Sequence, residues 1–237
     1  MIHLFALLSL LLCGVCYTGF QNSSHFHNTG NRRSLLLLVF GGALLLRLLL
    51  AYTTHGFSND IACFAAWADR IFTLGPGQFY SAEMFTDYPP GFMYVLYLIG
   101  ALRSLLQIPY YSDLHILLLK LPAILCDIAC GFLLYREAVK RLHFSDLQGI
   151  FAASAYLFQP AVILNSSCWG QVDSVYTLMI ILMCLFLMKG NLLPAYAVYG
   201  LGVLLKPQML IFTPVLLAGI WDHVFLQDFS WRKFFYN

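Results

Sequence analysis

Charged residues are scarce in this chain of 237 residues, of which 13 Lys and Arg and 11 Asp and Glu make up 10% and hydrophobic residues make up 60%. A soluble domain carries roughly 25% charged residues because its surface faces water. The shortage excludes a soluble enzyme and a disordered chain. It also excludes a nucleic-acid binder, which needs clustered positive charge. The composition indicates a polytopic membrane protein.

Metal-binding and disulfide patterns are missing as well. The seven cysteines are an odd number, which argues against a complete disulfide framework, and no two C-x-x-C pairs stand at the spacing of a zinc site. His55, His115 and His143 show neither H-x-x-x-H nor H-E-x-x-H spacing. We therefore expect no metal site and no cofactor.

Long apolar runs are abundant, and they predict an all-α fold. A spanning helix needs about 20 mostly apolar residues. Runs that approach this length lie at residues 1–20, 34–52, 116–135, 147–164, 174–188, 192–205 and 209–225. The prediction is a transmembrane helical bundle with about seven spans. The run at 91–106 is short and follows two prolines, and its placement decides the topology.

The positive-inside rule settles this placement, because basic residues collect on the cytoplasmic side. If residues 91–106 do not cross the membrane, eight of the thirteen basic residues fall on one side. These eight are Arg32, Arg33, Arg136, Lys140, Arg141, Lys189, Arg232 and Lys233. The N-terminal helix and cytoplasmic linker are then residues 1–33, and the main transmembrane domain is 34–237. The absence of large inserted domains favours a bacterial plasma membrane over the endoplasmic reticulum.

This topology leaves a long loop, residues 53–115, on the outer side. Loops of this length are usually functional or disordered, and this one is rich in Phe, Tyr and Trp. A helix at 59–73 is predicted to end at Gly75-Pro76-Gly77. A second helix at 90–106 is predicted to begin at Pro89-Pro90, because proline suits the first helical turn. The aromatic residues indicate an interfacial belt with a small loop core, or alternatively a surface on which a sugar stacks.

Polar residues also collect on the predicted outer face: Asp60, Asp87, Asp173, Lys206 and Gln208. Ionisable groups near lipid are costly and are therefore functional candidates. Each also has a structural interpretation. The three aspartates could cap helices or shape turns, and Lys206 could extend its amine towards water at the membrane boundary.

Asp127 is predicted to lie inside the 116–135 span, where a charge must be paired, neutralised or turned inward. Lys120, seven residues earlier, is too far along the helix for a direct pair. Arg47 is a candidate partner. The alternative is that Asp127 is protonated and forms a hydrogen bond to a neighbouring helix.

An ordered set of motifs carries a family resemblance. Asn59-Asp60 is followed by Trp67 on the same helical face, then by Asp87-Tyr88-Pro89-Pro90. Further along come Leu121-Pro122, Gln159-Pro160-Ala161 and Trp169-Gly170-Gln171-Val172-Asp173. Over residues 34–220 or so, the chain resembles the N-terminal part of GT-C superfamily glycosyltransferases. It resembles the bacterial mannosyltransferase-like membrane proteins most, and it is similar to dolichyl-phosphate-glucose glucosyltransferases and protein O-mannosyltransferases.

The resemblance implies a membrane glycosyltransferase that moves a hexose from a polyprenyl-phosphate sugar to an acceptor hydroxyl, with inversion. It implies that Asp60 is the catalytic base. Substrate-binding roles are expected for Asp87, Tyr88, Trp67, Gln171, Asp173, Lys206 and Gln208. Lys206 is the expected cation for the departing phosphate. The outer loop has no D-x-D motif, which favours a lipid-phosphate donor over a nucleotide sugar.

The expected partners are the lipid-linked donor, a lipid-linked, protein or glycan acceptor, and membrane lipids, with no nucleic acid. Family members usually have more spans than this chain offers. We therefore expect the chain to be truncated or to be completed by a second chain. A non-catalytic membrane scaffold and a small-solute transporter stay open as alternatives.

Overall fold

The computed structural model describes residues 9–12, 14–15, 17–19, 32–82 and 85–222, and within these ranges the ordered elements are helices without β-strands. The predicted all-α class is confirmed. The predicted run at 1–20 and residues 223–225 lie largely outside the described ranges. The principal helices are α1 (Arg32–Thr53), α2 (Ser58–Leu74), α3 (Pro90–Leu105), α4 (Asp113–Lys140), α5 (Asp146–Leu157), α6 (Pro160–Trp169), α7 (Asp173–Met188), α8 (Leu192–Leu205) and α9 (Thr213–Trp221).

Two of the described helices, α1 and α4, are long and apolar enough to cross a membrane. The pair α5 and α6 would make a third span if the two helices are taken as one segment bent by 51°. The other apolar helices, α3, α7, α8 and the stretch Pro207–Trp221, have 10–17 residues. The described residues therefore offer two or three spans by length, where the sequence predicted about seven.

The predicted span at 147–164 is wrong as a single helix. Helix α5 ends at Leu157, and Gln159 adopts an extended backbone (φ −63°, ψ 119°) before Pro160 begins α6. Proline has no N–H and disfavours a helical residue before it, so the chain bends at this point. Helix α6 then changes from α-helical geometry to π-helical geometry over Leu164–Trp169.

The predicted span at 209–225 is also divided. Its first part is a 3₁₀ helix, Pro207–Phe212, and α9 starts at Thr213 with Pro214 in its first turn. Proline suits the first turn of a helix but cannot donate the hydrogen bond that a continuing helix requires. The sequence predictions for α2, α3 and α8 are confirmed to within one residue at each end.

The chain divides into two compact units. Unit 1 comprises Met1–Ala65 and Ile108–Ser174, and its core joins α1, α4 and α5 through Ala43, Tyr135, Ile150, Ala153 and Leu157. Unit 2 comprises Ala66–Gln107 and Val175–Asn237. Its core consists of Met183, Leu187, Leu192, Ala195, Met209 and Leu216.

Gly100 lets α3 pack closely against α2 within unit 2. A Cβ atom at this position would lie 2.5 Å from the Ala68 carbonyl oxygen and 2.8 Å from Phe72 Cβ. We expect Gly100→Ala to destabilise the fold by about 1–3 kcal/mol, because the clash is with backbone that cannot rotate away. Gly41→Ala is the matched control, since nothing lies within 4 Å of its added Cβ. Thermal unfolding in detergent measures both, and equal midpoints would contradict the close approach.

Candidate functional site

Asp60 lies in the first turn of α2, within unit 1. The helix is entered through Phe57, whose carbonyl accepts a hydrogen bond from Ile61 N at 3.1 Å. A carboxylate at this place is favoured by the positive end of the helix dipole. The Asp60 side chain is half-buried, so it is accessible and yet partly removed from water.

The last residues of α6, from Asn165 onwards, and the loop that follows them to Asp173 form a turn that faces Asp60. The Asn165 carbonyl accepts hydrogen bonds from Gly170 N at 3.1 Å and from Gln171 N at 2.9 Å. Gly170 has φ +87°, a left-handed backbone conformation that favours glycine. A Cβ there would also lie 2.6 Å from Ile61 Cδ1, the end of a side chain that would have to shift. Asn165 Nδ2 also donates to Asp173 Oδ2 at 2.9 Å, which ties the start of the turn to its end.

The turn presents two donors to Asp60. Gln171 Nε2 donates a short hydrogen bond to Asp60 Oδ2, and Trp169 Nε1 donates to the same oxygen at 3.3 Å. Among the described residues, none donates a side-chain or backbone hydrogen bond to Oδ1 of Asp60. One carboxylate oxygen is thus fixed, and the other can receive a proton from a bound hydroxyl group.

Lys120 lies behind this turn and is fully buried. Its Nζ donates to Thr54 O at 2.6 Å, to Thr54 Oγ1 at 3.1 Å and to Ala51 O at 3.2 Å, which places a cation at the C-terminal end of α1. Thr54 Oγ1 in turn lies within hydrogen-bond distance of Ser167 O. Through Thr54, the lysine therefore links the end of α1 to the π-helical segment of α6, which ends at Trp169.

Asp127 is the centre of a buried polar network in unit 1. Arg47 Nε donates to Asp127 Oδ2 at 3.1 Å, and neither side chain is exposed. The hydroxyl groups of Ser166, Ser174 and Tyr156 also donate to this carboxylate. The predicted pairing with Arg47 is confirmed, and both charged side chains are enclosed by protein.

The predicted residues Trp67, Tyr88 and Lys206 come together in unit 2. Trp67 and Tyr88 have ring centroids 5.8 Å apart, and Trp67 Nε1 donates to Phe85 O at 3.1 Å. Lys206 is 8% exposed, with Nζ 5.6 Å from the Tyr88 ring centroid and 5.7 Å from that of Tyr176. Lys206 is therefore buried beside two aromatic rings, rather than extended towards water as the structural interpretation of the sequence expected.

The remaining candidates differ in their surroundings. Asp173 is half-buried and bonded to Asn165, whereas Asp87 and Gln208 are exposed. Within the part of the chain that the structure describes, neither Asp87 nor Gln208 makes a side-chain hydrogen bond. Their substrate-binding roles stay predictions, and the same holds for the roles of Gln171 and Asp173.

Sequence reasoning missed two contributors to the Asp60 site. Trp169 appeared only as part of a motif, although its indole N–H reaches the carboxylate. Lys120 was considered only as a partner for Asp127. Its signal was a lysine in the middle of an apolar run, which a spanning helix rarely tolerates without a role. Among the described residues, no three His, Cys, Asp or Glu side chains group as a metal site would need.

Comparison with protein-family models, with curated proteins and with solved structures finds no match to this chain.

Proposed function

We propose that the chain is a membrane glycosyltransferase that moves a mannose-type or glucose-type hexose from a polyprenyl-phosphate sugar to an acceptor hydroxyl on the outer face. One observation carries the proposal. Asp60, at the start of an aromatic helix, has Oδ2 held by Gln171 and Trp169 and Oδ1 without a donor among the described residues. A carboxylate fixed in this way can orient and deprotonate a hydroxyl group without reorganising.

The reaction is a single displacement. The acceptor oxygen attacks C1 of the hexose and forms the new C–O bond while its proton passes to Asp60 Oδ1. The bond between C1 and the phosphate oxygen breaks, and the polyprenyl phosphate leaves with the bonding electron pair. Attack opposite the leaving group inverts the configuration at C1. We propose Lys206 as the cation that neutralises the donor phosphate, supported by its buried position beside Tyr88 and Tyr176.

The proposal includes a multi-pass arrangement in the cell membrane with residues 53–115 outside. The supporting observation is that α7 and α8, of 16 and 14 residues, carry no charged side chain after Asp173, although both are shorter than a full span. The distribution of basic residues sets the orientation.

The direct test is a transfer assay with the full chain in proteoliposomes. We expect labelled hexose to pass from polyprenyl phosphate to a glycan or lipid acceptor, and we expect no product when a nucleotide sugar is the only donor. The outer loop has no D-x-D motif, which favours a lipid-phosphate donor over a nucleotide sugar. Transfer from the nucleotide sugar alone would contradict the choice of donor.

A small-solute transporter is the second candidate, favoured by the buried ion pair of Arg47 and Asp127 together with buried Lys120. Transporters place such groups along substrate paths near the middle of the membrane. Uptake of a labelled sugar into proteoliposomes without any transferred product would support this candidate. Transferred product without uptake would exclude it.

A further inference from the structure

Two exposed aromatic side chains flank Asp60. Phe57 is 44% exposed and Trp169 is 51% exposed, with ring centroids 5.3 Å apart and planes inclined by 36°. A backbone hydrogen bond of 2.8 Å from Phe57 N to Trp169 O holds the two residues together. The bond from the indole N–H to Asp60 fixes the Trp169 ring further. We call Phe57 and Trp169 the aromatic platform.

Unused hydrogen-bond acceptors lie beside the aromatic platform. Oε1 of Gln171 is buried and has no donor among the described residues, although Nε2 of the same amide donates to Asp60. Oδ1 of Asp60 likewise accepts no bond within the described chain. A buried acceptor without a donor costs free energy, and a ligand that supplies hydroxyl groups removes this cost.

We propose that the aromatic platform is the stacking surface for the pyranose ring of an acceptor saccharide, whose hydroxyl groups donate to Asp60 Oδ1 and Gln171 Oε1. A pyranose combines an apolar C–H face, which suits an aromatic ring, with hydroxyl groups around its rim. An acyl chain offers the first property without the second, and an isolated serine hydroxyl offers the second without the first. The proposal rests on the proposed function only in taking Asp60 as the group that faces the acceptor.

The membrane interface alone does not account for this arrangement. A Trp in an interfacial belt turns its N–H towards water and headgroups. The N–H of Trp169 instead holds a carboxylate that belongs to another segment of the chain, 109 residues away in sequence. The aromatic platform and the acid therefore form one structural unit, which the geometry assigns to recognition of a polar ligand with an apolar face.

The test measures the binding of methyl α-mannopyranoside and methyl α-glucopyranoside to the full chain in nanodiscs. Saturation-transfer NMR detects the binding. Mannitol is the ligand control, because it carries hydroxyl groups on an acyclic chain that has no ring face. We expect one methyl hexoside to bind and mannitol not to bind. Trp169→Ala should raise the Kd by at least roughly tenfold, because it removes the stacking surface, whereas Trp169→Phe should retain most of the affinity.

Trp221→Ala is the protein control, since Trp221 is 58% exposed and belongs to unit 2. An unchanged Kd in Trp169→Ala, equal binding of mannitol, or no hexoside binding by the wild-type chain would overturn the aromatic platform. The proposed function fails separately. Hexose transfer with an unchanged acceptor KM in Trp169→Ala would support the proposed function and contradict the aromatic platform. Hexoside binding that depends on Trp169, without any hexose transfer, would support the aromatic platform and contradict the proposed function.

Discussion

Asp60→Asn is expected to lower the rate of hexose transfer by about 10²–10⁴-fold, the usual contribution of a positioned general base. Asparagine has nearly the same shape as aspartate and can still accept hydrogen bonds from Gln171 and Trp169, so the fold should persist. It cannot take the proton of the acceptor hydroxyl, however. The loss should therefore appear in kcat more than in the acceptor KM. Initial rates in proteoliposomes measure both quantities.

Asp113→Asn is the matched control. Asp113 lies in the same predicted outer loop, its side chain is 53% exposed, and its ion-pair partner is His55 at 3.6 Å. Among the described residues, Asp113 makes no hydrogen bond to Asp60 or to the turn from Asn165 to Asp173. Its loss should therefore leave the transfer rate within about twofold, as expected of an exposed pair. Wild-type transfer by Asp60→Asn would remove Asp60 from the proposed role.

Asp127→Leu is expected to destabilise the protein by about 3–5 kcal/mol, the cost of leaving one member of a buried ion pair alone. Arg47 would remain fully buried, and among the described residues its remaining hydrogen bond would be the one from Nη1 to the Ala43 carbonyl at 3.3 Å. Ser166 and Ser174 would also lose an acceptor. The midpoint of heat-induced loss of monodisperse protein in detergent, read by size-exclusion chromatography, measures the effect.

Two further variants separate the effect of losing the ion pair from the effect of changing the side-chain volume. The double variant Arg47→Met with Asp127→Leu should recover part of the loss, because it removes both charges together. Glu137→Gln, on the same helix, breaks the partly exposed ion pair with Arg136 and should cost less than about 1 kcal/mol. If Asp127→Leu costs no more than Glu137→Gln, the buried network does not stabilise the fold.

Local sequence signals account for much of the fold. The proline at position 90 and the apolar run that follows it predicted α3, and the Gly75-Pro76-Gly77 stop predicted the end of α2. Arg47 was the candidate partner for Asp127 because a charge in an apolar run needs an opposite charge within reach. These features depend on a few neighbouring residues, or on one strong energetic requirement.

The Asp60 site depends on longer-range relations that one sequence does not reveal. The contact of Trp169 and Gln171 with Asp60 joins residues separated by about a hundred positions. It requires the bend at Pro160, the π-helical segment and Gly170 in a left-handed conformation. The sequence shows Gln159-Pro160 but not that the helix resumes at an angle of 51°. The sequence also does not show which backbone carbonyls accept hydrogen bonds from Lys120, because every residue carries a carbonyl.

The configuration at C1 of the transferred hexose tests the central claim most directly. A β-linked polyprenyl-phosphate hexose is supplied to the full chain in proteoliposomes, and the product is analysed by NMR and by anomer-specific glycosidases. Direct displacement with Asp60 as base predicts an α-linked product that falls to background in Asp60→Asn. A β-linked product, or an α-linked product that Asp60→Asn forms at the wild-type rate, would contradict it.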